Sequence, residues 1–248
     1  MKKVVLITGA ARGIGAATAS LLAKSGFQVC INYVNNHAAA AALVKTIVEQ
    51  GGVAKSIQGD VSKEEDVEKI FEYVENNFGQ LDALVNNAGV LSTYSRFENM
   101  AVERFSRLFG VNVFGAMMCS KKAIGMMSTQ HKGKGGAIVN ISTAFVKNGA
   151  PNMAIDYAST KGAIEVFSMG LAKELATDGI RVNVVRPGMI DTQIHADGGD
   201  PDRASKAKDF VPMKRVGQAS EVAHAILWLL SENASYCTGA VIDVSGGI

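Results

Sequence analysis

Long apolar runs are missing from this chain of 248 residues. The opening MKKVVLITGA has an apolar run, VVLI, that stops at Thr8 and Gly9, too short for the core of a signal peptide, and the longest later stretch, AILWLL, falls far short of the ~18 residues that a membrane span needs. Charge of one sign is also scarce. Twenty-five Lys and Arg against 23 Asp and Glu leave a net +2, with no block of five or six like charges, which argues against nucleic acid or an anionic membrane as partner and leaves a small-molecule substrate. The three cysteines, Cys30, Cys119 and Cys237, are odd in number and lack metal-ligand spacing, so reduced buried thiols and a cytoplasmic setting are expected. His37, His131, His195 and His224 are scattered without partners at ligand spacing, and no metal is expected. No Pro/Ser linker, internal repeat or shift in composition divides the chain, so one domain over 1–248 suffices.

What is present is a soluble composition, 48% hydrophobic and 19% charged, on a chain long enough to bury a substantial core. Short Val/Ile-rich runs alternate with longer stretches of helical period. KVVLIT, QVCINY, VAKSIQ, LDALVNN, GAIVNIS, IRVNVVRPG and AVIDV read as strands. Seven strands alternating with helices predict a doubly wound, Rossmann-type α/β fold: a seven-stranded parallel sheet with helices on both faces, joined by right-handed crossovers. The alternation lapses over about 192–216, where turn signals surround short helical pieces. That segment follows the sixth strand, beyond the carboxyl edge where such sheets bind ligands, and is read as a substrate lid.

TGAARGIG, residues 8–15, follows the first strand and opens a helix. Gly9, Gly13 and Gly15 let the backbone turn tightly and approach a pyrophosphate, which the unpaired amides of the helix start, at Gly13 and Ile14, can bind. The spacing is GxxxGxG, not the usual GxGxxG, and a ligand-free glycine turn would look the same on these residues alone. An NAD site normally carries an acid roughly 20 residues further on, gripping a ribose hydroxyl. Here the second strand ends INYVNN, and no Asp or Glu precedes Glu49. Without a carboxylate to repel a 2′-phosphate, NADP is the expected cofactor, with NAD as the alternative; Arg12 would pair with the phosphate, flanked by Tyr33 and Asn35. Arg12 covering the loop from solvent is the bland alternative.

In YASTK, residues 157–161, Tyr157 and Lys161 are four apart, on one face of a helix. A unit charge about 4 Å away contributes roughly 4 kcal/mol at an effective dielectric of 20. Lowering a phenol pKa from about 10 to about 7 takes roughly the same energy, so one ammonium is about enough to make the tyrosine an acid/base group near neutral pH.

TGAARGIG, GDVS at 59–62, NNAG at 86–89, GVNVFG around Asn112, NISTA around Ser142, YASTK, RPGMIDT and the terminal SYCTGAVIDVSGG together resemble the short-chain dehydrogenase/reductase family over essentially the whole chain. Within it the sequence looks closest to glucose-dehydrogenase-like oxidoreductases and somewhat less like 3-oxoacyl carrier-protein reductases. The resemblance implies that Asp60 and Val61 contact adenine, that Asn86, Ala88 and Gly89 line the cofactor near its ribose, and that Pro187, Gly188, Ile190 and Thr192 approach the nicotinamide carboxamide. It further implies Tyr157 as general acid/base, Ser142 on the substrate oxygen, Lys161 on the nicotinamide ribose, and Asn112 holding a water in a proton path through Lys161. Taken singly, Ser142 as a cap and Asn112 as a helix polar residue are the better readings; taken as a set in family order, they are not. Where NADP-preferring relatives often carry an arginine after the second strand, this chain has Val34, which leaves more of that preference to Arg12. The expected activity is hydride transfer between nicotinamide and a small carbonyl or secondary alcohol, sugars included. The alternatives are a 3-oxoacyl carrier-protein reductase, docking its acidic partner on Lys121, Lys122, Lys132 and Lys134, and a non-catalytic dinucleotide sensor. A homotetramer or homodimer is implied by resemblance only.

Overall fold

The computed structural model describes residues 2–200 and 202–248, with Ala204 and Ser205 described by backbone alone. Met1 and Pro201, inside the segments expected to form the single domain and the lid, lie outside the described residues.

All seven expected strands form where Val and Ile cluster: β1 (Val4–Ile7), β2 (Gln28–Tyr33), β3 (Val53–Gln58), β4 (Ala83–Asn86), β5 (Gly136–Ile141), β6 (Ile180–Pro187) and, last in the chain, β9 (Val241–Val244). They make one parallel sheet in the order β3-β2-β1-β4-β5-β6-β9. Between strands run α1 (Gly13–Lys24), α2 (His37–Glu49), α3 (Glu64–Phe78), α4 (Val102–Phe109), α5 (Ala116–Met127), α6 (Ile155–Glu174) and α9 (Ala219–Leu230).

The strict two-residue alternation of a strand sends neighbours to opposite faces. Val5 and Ile7 belong to the core shared with Leu22 of α1 and Ile226 and Leu229 of α9, while Val4 and Leu6 belong to the core shared with Ile70 and Val74 of α3 and Met127 of α5. Because both faces are covered, β1 is apolar throughout and fully buried. Truncating Leu6 to Ala would cost about 2–5 kcal/mol.

Two very short strands had no periodic signal. β7 (Ile190–Asp191) and β8 (Gly217–Gln218) pair in parallel and bracket the 192–216 segment, which contains α7 (Ile194–Asp197) and α8 (Arg203–Ala207). The strand order reverses between β1 and β4, so the crevice at their carboxyl ends is the place this topology provides for a ligand.

Candidate active site

The glycine turn after β1 is built by close approach. Gly9 has φ +60°, and a Cβ there would lie 2.8 Å from the Ala88 Cα, so no side chain fits. Asn87 staples the turn, its amide nitrogen donating to Thr8 O at 2.8 Å and Gly9 O at 3.0 Å, while the Asn32 Oδ1 accepts from the Gly9 amide at 3.2 Å. The first-turn amides of α1 have no carbonyl within the helix to donate to, and Arg12 at the N-cap supplies no side-chain cap. Gly13 and Ile14 line the adjoining cleft. These uncapped donors and left-handed glycines fit the pyrophosphate of a dinucleotide. At the outer end, the Tyr33 hydroxyl is 2.6 Å from His37 Nδ1, with Val34, Asn35 and Asn36 beside it and no carboxylate on the β2 terminus. Arg12 lies at this cleft too, but its guanidinium pairs with Asp197 of α7.

The other end of the cleft is set by α6. Its start is pinned by a buried ion pair in which Arg104 of α4 grips Asp156 through two bonds, at 2.7 and 3.1 Å, and Asp156 Oδ1 accepts the Tyr157 amide. Tyr157, Lys161 and Glu165 then follow at four-residue steps along one stripe. Lys161 Nζ donates to the Ile141 carbonyl at 2.8 Å and lies 5.8 Å from the Tyr157 ring centroid. Ser142, at the end of β5, donates to Glu165 at 2.5 Å, and Glu165 is held in turn by Arg186 of β6.

Electrostatics here correct the simple ammonium arithmetic. Burial, and secondarily the neighbouring Tyr94, pushes the Tyr157 phenol above its ordinary value instead of below it. Burial likewise brings Lys161 down to about 8. Both charged forms lose water in the same enclosed spot, and the desolvation of each outweighs the attraction between them.

Nearly all residues singled out from sequence line one cleft of about 950 Å³: Gly9, Arg12, Gly13, Ile14, Tyr33, Asn35, Asp60, Val61, Ala88, Gly89, Ser142, Tyr157, Lys161, Pro187, Gly188, Ile190 and Thr192. Three stand behind its wall. Gly15 packs under Asn87, where a Cβ would meet Nδ2 at 2.6 Å. The Asn86 amide nitrogen points under the sheet to Asn140 and Ser120, at 2.8 and 3.0 Å, and it is Asn87 that borders the cleft. Asn112 occupies a π-helical turn, Gly110–Gly115, between α4 and α5; it holds Val90 by both backbone groups and donates to Thr160. Its Oδ1 and the Lys161 Nζ flank Gly89 from two sides, 3.6 and 3.4 Å from where a Cβ would stand. Glu165 and Asp156 were not singled out from sequence, although Glu165 continues the Tyr157/Lys161 stripe by one more turn.

A doubly wound parallel sheet with a glycine turn after β1 and a buried Ser, Tyr and Lys at its carboxyl edge defines a dinucleotide-binding α/β class. A family profile described as enoyl-(acyl carrier protein) reductase matches residues 9–248. The chain belongs to the short-chain dehydrogenase/reductase family. It is 47% identical to the uncharacterized oxidoreductase YgfF of Escherichia coli, over 98% of this chain and 99% of the relative. Against glucose 1-dehydrogenase 2 of Bacillus subtilis it is 36% identical, over 99% of this chain and 94% of the relative. A crystal structure of the 3-ketoacyl-(acyl-carrier-protein) reductase of Brucella melitensis complexed with NADH superposes with a TM-score of 0.91 at 34% identity, covering 99% of this chain and 97% of that one.

Proposed function

We propose that the chain is an NADP-preferring oxidoreductase that moves hydride between the nicotinamide and a small carbonyl compound or secondary alcohol, sugars among them. The observation that carries this reading is the burial of Ser142, Tyr157 and Lys161 together at one end of a cleft whose other end is lined by the glycine turn, Arg12 and Tyr33. Gly13 and Ile14 would hold the pyrophosphate, Lys161 the nicotinamide ribose, and Arg12 with Tyr33 and Asn35 the adenosine end. The bound dinucleotide supplies the hydride donor or acceptor.

The chain's own residues handle the proton. Tyr157, kept as the neutral phenol by burial, is a donor for a carbonyl oxygen in the reducing direction. Ser142, whose hydroxyl donates to Glu165 in this structure, turns that proton into the cleft to hydrogen-bond the same oxygen. Asn112 fixes the loop after β4 against α6 and so keeps the Lys161 surroundings in register. The 192–216 segment, which contributes Gln193, Ile194 and His195 to the wall, serves as the lid.

Preference for NADP follows from the missing acid at the β2 end. Arg12 must leave Asp197 to reach a 2′-phosphate, but that pair is half exposed, and such pairs contribute only about 0–1 kcal/mol. A phosphate carries more charge than the carboxylate it displaces. The Brucella relative was crystallised with NADH, so both cofactors belong in the test.

The test is a panel of sugars, polyols, ketones and oxoacyl thioesters run with each cofactor. Turnover with NADPH at an affinity at least tenfold above NADH is expected; equal affinity contradicts the preference, and saturable binding with no turnover anywhere supports the sensor reading. Likeness to the ketoacyl reductase favours one second reading, in which exposed Lys132 and its neighbours dock an acidic carrier protein. Strongly salt-dependent activity on carrier-bound substrate, absent with free ketones, would select it. Exposed apolar side chains on the outer helices, Val102, Phe114, Val166 and Met169, support self-association as a dimer or tetramer.

A further inference from the structure

Three buried side-chain polar atoms lack a hydrogen-bond partner among the described residues: Asn86 Oδ1, His195 Nδ1 and Arg203 Nε. Asn86 lies under the sheet, away from the cleft, but the other two belong to the 192–216 segment. His195 is only 8% exposed and lines the same cleft as Tyr157. Its Nε2 is 2.8 Å from the Ile190 carbonyl. A carbonyl only accepts, so the ring proton sits on Nε2 and Nδ1 is left as a bare lone pair. Arg203 lies with its guanidinium 4.7 Å from the Tyr94 ring centroid and 5.9 Å from that of Phe145, both rings lining the cleft. One of its terminal nitrogens donates to the weak acceptor Met153 Sδ, while Nε donates to nothing.

The segment that closes the substrate end therefore carries one unsatisfied acceptor and one unsatisfied donor. Native structures rarely leave such groups buried and unpaired without a ligand or water to complete them. The chemistry of the missing partner can be narrowed. A carboxylate offers acceptors alone and would leave His195 Nδ1 bare; a plain ketone or an aliphatic chain has no donor for it. A hydroxyl both donates and accepts. We infer that His195, with Arg203 of the same segment supplying the second unpaired group, recognises a hydroxyl of the substrate other than the reacting oxygen, so that the enzyme selects hydroxyketones, polyols or sugars over their deoxygenated counterparts. This rests on the oxidoreductase reading above, since Ser142 and Tyr157 are assigned to the reacting oxygen.

The test compares matched pairs that differ by one hydroxyl: glucose and 2-deoxyglucose, acetoin and 2-butanone, cyclohexane-1,2-diol and cyclohexanol. In the native chain kcat/KM should favour the hydroxylated member by about 10- to 100-fold. His195→Phe keeps the ring volume and removes the acceptor; it should bring that ratio down by about tenfold or more, and Arg203→Met should lower it in the same direction. Cofactor affinity, read from nucleotide fluorescence, reports whether each variant is folded and whether its effect reaches the cofactor. A native ratio near 1 overturns the inference while leaving the oxidoreductase reading intact, and it does so even if His195→Phe fails to fold. Weakened cofactor binding in His195→Phe with an unchanged ratio also overturns it, because the lone pair would then serve the cofactor. No turnover of either member of any pair by the native chain overturns both readings together.

Discussion

Ser142 stands between two demands. Its hydroxyl proton is held by Glu165 at 2.5 Å, which turns its lone pairs toward other neighbours, and Glu165 is itself locked by Arg186. Replacing Glu165 by Gln should loosen the hold on Ser142 and leave the partly buried Arg186 with only the longer pair to Asp243, at 3.7 Å, as counter-charge. The expected loss is about 2 kcal/mol of stability, and roughly 4–8 °C in melting temperature, with lowered turnover and unaltered cofactor affinity. Unchanged turnover would show that Ser142 needs no such support. Lys161 offers a titration test. Its ammonium is disfavoured by burial, with a pKa of about 8 against 10.5 for an ordinary lysine. Between those values the unfolded chain binds the extra proton, so this residue makes stability rise with pH across that window and contributes no slope below it. The total rise is about 3 kcal/mol, and Lys161→Met should remove it; identical slopes in both proteins would contradict the buried placement. The pairing of Tyr157 with Lys161 was legible in their four-residue spacing. The direction of their pKa shifts was not, because spacing carries the charge on a neighbour and says nothing of the water lost around it.

At the scale of elements, the segment linking α4 to α5 shows what pattern can and cannot reveal. GVNVFG reads as helix and is helical, but in π register, which turns Asn112 toward the loop after β4. The two registers share the same apolar composition and differ only in which carbonyl each amide reaches, so periodicity does not separate them. Asn112→Ala would strand the Val90 amide and carbonyl and free the loop carrying Ala88 and Gly89. Cofactor affinity should fall by about 10- to 100-fold; retention of full affinity would mean the loop is held by Thr8 and Asn87 alone. The five inner strands were legible because each is an apolar run buried on two faces, while the edge strands β3 and β9, exposed or half-buried at most positions, were legible only from their scattered Val and Ile. β7 and β8 were not, since two residues make no period, and their pairing follows from bringing Met189 and Gly217 together. Asn86 and Asn87 show the same limit within one dipeptide: adjacent strand-end residues face opposite ways, and sequence does not say which meets the cleft.

For the whole molecule, the sheet order places the glycine turn before α1 and the Tyr157/Lys161 stripe of α6 on one edge, joined by a continuous cleft. The outer faces of α4 to α6 leave Val102, Phe114 and Val166 in water, more apolar surface than a lone helix face needs. Light scattering should therefore report a mass at least twice that of the 26.1 kDa chain, lowered by Phe114→Asp; a monomeric native chain would contradict self-association through these helices. Central to the rest is that the phenol at 157 transfers the proton. The most direct measurement is turnover of Tyr157→Phe alongside its cofactor affinity: a loss of about 100-fold or more in kcat with affinity within about twofold of the native chain is predicted, and near-native turnover would contradict it.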